Sequence, residues 1–152
     1  MRQRWVVVTV LMMALFAING LARLVVWQAG LVNDKDQILA GLLASVAAAL
    51  LSVYAGARWT YRYRMPRVLA DLAVAIAVAA LLAVALGPYL GGSTPLVEGV
   101  GFAFRQFFFY GGVMAFGAVV GALVTVALGK DWKSRSWRYH EERIRSRPRR
   151  VT

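Results

Sequence analysis

Residues 102–129 read FAFRQFFFYGGVMAFGAVVGALVTVALG, the most C-terminal of several long apolar segments. At 1.5 Å per helical residue it covers about 40 Å, enough to cross a hydrocarbon core of about 30 Å. An aromatic cluster holding one arginine, Arg105, comes first, followed by a glycine-rich middle and an apolar exit into a basic tail. Gly117, Gly121, Thr125 and Gly129 recur every four residues. On a helix they form one small-residue stripe, against which a second helix packs at close range. Such a stripe is a packing signal and names no substrate or reaction.

Three more stretches of this kind precede it. The chain has 152 residues, 60% of them apolar, and a mean hydropathy of +0.59, beyond what an ordinary soluble core needs. Residues 5–27, WVVVTVLMMALFAINGLARLVVW, are long enough to span. A secretory signal peptide with 5–17 as its apolar core is the rival reading. No small-x-small cleavage site follows and the apolar run resumes past Asn19 and Gly20, which favours a retained helix. Polar residues 28–37, with Asp34, Lys35 and Asp36, connect to a second span at 38–57. There Gly41, Ser45, Ala48 and Ser52 share a face at the spacing of close helix contacts. Segment 58–67, RWTYRYRMPR, follows, with Pro66 marking a helix start. The third span, 68–86, carries Asp71 in its first turn, where the helix dipole favours a carboxylate. Residues 87–101, rich in glycine and proline, are expected to be a loop. In the tail, 130–152, Trp137, His140 and Ile144 offer a weakly apolar face for a surface-lying helix that Pro148 would end. No internal repeat relates the helix pairs.

The expected fold is therefore an all-α integral membrane protein: an antiparallel bundle of four transmembrane helices within 1–129, spanning at about 5–27, 38–57, 68–86 and 102–128, and a basic juxtamembrane tail. Arg2, Arg4, the four arginines of 58–67 and nine basic tail residues would lie on one side, against Arg23, Lys35 and Arg105 on the other. The positive-inside tendency then places both termini in the cytoplasm and the chain in the cytoplasmic membrane as a multi-pass protein.

Composition closes several function classes. Without cysteine there are no disulfides, thiolate ligands or thiol nucleophiles. His140 is the single histidine, so neither a His-rich metal site nor a haem ligand pair arises. No G-x-S-x-G, P-loop or dinucleotide fingerprint occurs, and Asp71 and Glu98 are expected on opposite sides of the bilayer. No enzyme, metal or cofactor is expected.

Arg23 and Arg105 fall at similar depth near the outer boundary, about 27 Å beyond Trp5 and about 34 Å back from Leu128. The bland expectation, which leads, is that each snorkels or pairs with Asp34, Asp36 or Glu98. The sharper one is an anion or lipid-phosphate site made by both guanidiniums. Asn19 is expected to make an interhelical hydrogen bond, and Asp71 to cap its helix or pair with Arg67 or Arg64 rather than carry protons. Arg58, Arg62, Arg64, Arg67, Lys130, Lys133, Arg135 and Arg138, interleaved with Trp and Tyr, suit an interface with anionic lipid headgroups or a partner. Nucleic acid is disfavoured because no reading module accompanies the charge.

These features favour an accessory or scaffold subunit of a membrane complex, acting through helix packing at Gly41, Ser45, Gly117 and Gly121 and through a basic cytoplasmic face. Other membrane subunits or further copies of the chain are the expected partners. The alternative is a small oligomeric transporter or channel with an anionic or lipid-phosphate ligand. Only isolated polar residues, Asn19, Ser45, Ser52, Tyr54 and Thr125, are available to line a pore.

Overall fold

The computed structural model describes residues 2–31, 33–94 and 99–146. Among these the chain is helical and contains no strand: α1 (Arg2–Gln28), α2 (Asp34–Arg62), α3 (Met65–Ala85), the one-turn α4 (Gly87–Leu90), α5 (Val100–Ala127) and α6 (Trp132–Ser146). Four of the helices are long and apolar enough to cross a membrane. Glu98 and Pro148, each given a role above, lie outside the described residues.

Three connections differ from expectation. In the polar segment 28–37, expected to be a loop, α2 already begins at Asp34, with Asn33 as its cap. The α2 helix runs past residue 57 to Arg62, so most of the basic segment is helix and only Tyr63 and Arg64 are extended. Nothing in RWTYR breaks a helix. The break precedes Pro66, in the first turn of α3, which has no N–H for the Arg62 carbonyl and whose ring would clash with it in a continuous helix. The glycine- and proline-rich segment, expected to be wholly a loop, opens with α4, whose first turn accommodates Pro88.

The interior is built from small side chains. Ala48, Ala55, Ala75, Ala79, Ala80, Ala83 and Ala118 are buried, with Leu15, Met114 and Val68 the largest fully enclosed apolar residues. Alanines let helix axes approach, which matters where lipid supplies no hydrophobic drive between helices. The most extensive packing joins α2 to α5, and α1 packs on α3 and α2.

The α2–α5 seam is a contact of backbone on backbone. A Cβ on Gly117 would stand 2.5 Å from the Ala49 carbonyl oxygen, and one on Gly121 or Gly56 would run into the carbonyl of Val53 or Ala118. The Thr125 hydroxyl donates to the Gly121 carbonyl at 2.9 Å within its own helix and approaches the Ala57 carbonyl at 3.4 Å across the seam. Residues 49, 53 and 57 thus meet 117, 121 and 125 in order, and the two helices run in the same direction.

Two glycines placed on packing faces by their spacing lie outside this seam. Gly41 is exposed, and a Cβ added to it would meet nothing within 4 Å. Gly129 ends α5: at φ +59° its N–H donates to the Val126 carbonyl, while that of Lys130 donates to the Thr125 carbonyl. This is the left-handed helix terminus that glycine accommodates without strain.

Candidate functional site

Polar side chains gather at two ends of the bundle. At the first, α1 begins, α2 ends, α3 begins and α6 follows α5. Asp71, 6% exposed, points from α3 toward α1. Arg4 Nε donates to both Asp71 carboxylate oxygens at 3.0 and 3.2 Å, and Arg4 Nη2 closes an ion pair with Oδ1. Arg67, one turn before Asp71 on the same helix, sits 3.6 Å from Oδ2. A buried carboxylate needs such matched charge and donors. Arg64, the other expected partner of Asp71, instead lies over the Trp132 ring at 4.6 Å.

The same end carries further cation–aromatic stacks. Arg67 lies over Tyr63 and Arg135 over Tyr61, each at 4.1 Å. Arg135 also donates to the Tyr61 carbonyl at 3.3 Å, and Arg138 to that of Gly129 at 3.0 Å. Asp131 caps α6 by accepting from the N–H groups of Lys133 and Ser134. Chiefly the Ser134 side chain, against the opposing cost of burial and with backbone N–H groups adding, holds the Asp131 carboxyl below the ordinary carboxylate range. Lys130 and Lys133 are exposed. A cavity of about 600 Å³ opens between α2, α3 and α6, reaching the buried Thr60. A second, of about 330 Å³, lies between α1 and α2 and is rimmed by Arg58 and Arg62.

At the opposite end, Arg23 of α1 donates to Asn19 Oδ1 at 3.4 Å and to Gln106 Oε1 of α5 at 3.1 Å. Gly87 lies against its guanidinium, where a Cβ would come within 3.0 Å of Nε. A cavity of about 320 Å³ here is lined by Asn19, Arg23, Gln37, Gly41, Ser93 and Gln106, among others. Arg105 does not line it and is exposed. On α5 it is Gln106, the neighbour of Arg105, that Arg23 meets. Asn19 meets Arg23 within α1 instead of reaching another helix. Of the small residues given a packing role, Ser45 is buried and donates to the Gly41 carbonyl at 2.9 Å.

Spacing alone missed Arg4 and Gln106. Gln106 is the only amide in residues 102–129, and that rarity in an apolar span was its available signal. Among the described residues, no three His, Asp or Glu side chains converge as metal ligands. No family model, curated protein or solved structure matches the chain.

Proposed function

We propose that the chain is a non-enzymatic, multi-pass subunit or scaffold of the cytoplasmic membrane. Its four long helices cross alternately up and down, with both termini and the Arg/Trp/Tyr end on the cytoplasmic side. It acts through its outer helix faces and that basic end. The observation that carries this reading is how the polar and close-packing groups are spent. Gly56, Gly117 and Gly121 are consumed in the α2–α5 seam, and Asp71 is committed to Arg4 and Arg67. What remains outward is apolar: Leu39, Leu43, Val46 and Leu50 on α2, and Phe104, Phe108 and Phe116 on α5 are exposed. Faces of this kind meet lipid or a partner helix.

The cavity around Arg23 favours the second reading, a small transporter for an anionic ligand. It stops short of a path, however, because Leu15 and Met114 are fully buried in the core cluster together with Ala75 and Ala79. A conducting route needs polar groups or water across that layer.

The discriminating experiment is purification in mild detergent. A stoichiometric membrane partner, lost from the Phe108→Ala/Phe116→Ala variant while its thermal stability holds, is the expected result. A clean homo-oligomer that supports anion flux in liposomes would replace this reading with the transporter.

A further inference from the structure

We propose that the groove between α1 and α2 at the basic end seats one anionic glycerophospholipid, its phosphate held by Arg58 and Arg62 and one acyl chain laid along the groove. The proposal rests on reading this end as the cytoplasmic membrane surface.

The first support is the allocation of cations. Arg4 and Arg67 are committed to Asp71. Arg64 and Arg135 lie on Trp132 and Tyr61, and Arg138 donates to a main-chain carbonyl. Arg58 and Arg62 are exposed, and neither has an ion pair, ring contact or side-chain hydrogen bond among the described residues. They stand one helical turn apart, so they project from one face of α2. Guanidinium forks at that spacing suit a phosphate, which each can engage through paired N–H donors.

The second support is what lies beneath them. The groove they rim has a volume of about 330 Å³ and is walled by Val10, Leu11 and Ala14 of α1 and by Leu51 and Tyr54 of α2, with Trp59 near its head. From Arg62 to Leu51 is about 16 Å along the helix, close to the depth of one leaflet of a roughly 30 Å core. Charge at the mouth, amphipathic aromatics below it and an apolar channel one leaflet deep match the order of groups in a phospholipid. A partner helix seated there would cover two guanidiniums without a counter-charge, at a desolvation cost that no acidic residue in the groove offsets.

The test uses the full-length protein in mild detergent, with added mixtures of phosphatidylglycerol and phosphatidylcholine, and counts retained lipid by native mass spectrometry. One phosphatidylglycerol is expected to be retained over phosphatidylcholine. Arg58→Gln/Arg62→Gln should weaken its retention roughly 30-fold, from two cations each acting near a charged headgroup. Val10→Trp fills the groove without changing charge and should also lose the lipid, while Lys130→Gln/Lys133→Gln should keep it. Thermal stability of each variant reports the fold, and since Arg58, Arg62 and Val10 are exposed, no large change is expected. Equal losses from the Arg58/Arg62 and Lys130/Lys133 variants would mean general attraction; that overturns the seat and leaves the basic-face reading intact. Retention unaffected by Val10→Trp also overturns it, by removing the acyl channel. Equal retention of the zwitterionic lipid would overturn both the seat and the reading of this end.

Discussion

Asp71 is held by charge from two directions, and the two differ in what they do. Arg67 is a neighbour on the same helix, whereas Arg4 ties α3 to the start of α1 across 67 positions of chain. Replacing Asp71 by Asn keeps the shape but leaves two guanidiniums without their carboxylate. The expected outcome is a Tm in detergent lower by several degrees, with Arg4→Gln producing part of the same loss and the double variant less than the sum. Additive losses would show that the two residues stabilise the fold independently. Arg67 was legible as a partner because it lies one turn away. Arg4 was not, because a contact between distant segments depends on how helices pair. The outer arginines make the complementary point. Depth along a helix follows from counting residues, but azimuth shifts by about 100° per residue. Arg105 and Gln106 are equally deep, and only the second faces Arg23.

Among elements, the α2–α5 seam sets the architecture. The stripe on α5 was visible in the sequence because glycines four apart in an apolar span leave few other uses. Its counterpart was visible only as a face: Ser45, Ala48 and Ser52 are buried, yet the backbone actually touched belongs to Ala49, Val53 and Ala57. Spacing gives the side of a helix but not the rotation at which a neighbour settles on it. The short turns at Tyr63–Arg64 and at α4 were likewise obscured, because hydropathy falls at the membrane surface while a helix continues until its backbone is interrupted. The seam makes a sharp prediction. Gly121→Leu would drive a side chain into the Val53 carbonyl and should cost about 3 kcal/mol or more, seen as lost yield or a large drop in Tm. Gly41→Leu, with open space around it, should leave Tm nearly unchanged. Comparable losses from both would mean that close α2–α5 packing is not what holds the helices together.

On the scale of the whole molecule, four apolar helices and a net charge of +11 combine into a body with two unlike ends. One concentrates arginines against aromatic rings, as expected of a surface that sits among headgroups and faces the cytoplasm. The other holds Arg23 in a small polar cavity beneath α4. Span number and charge asymmetry were legible because both are summed over many residues. The pairing of helices and the identity of cavity walls depend on single contacts and were not. The proposed cytoplasmic position of the basic end can be tested directly. Since the chain has no cysteine, single replacements can report this without background. Ser93→Cys and Ser136→Cys lie at opposite ends, both exposed. With a membrane-impermeant maleimide on intact cells, Ser93→Cys should label, and Ser136→Cys only after permeabilisation; labelling of Ser136→Cys in intact cells would contradict a cytoplasmic basic end.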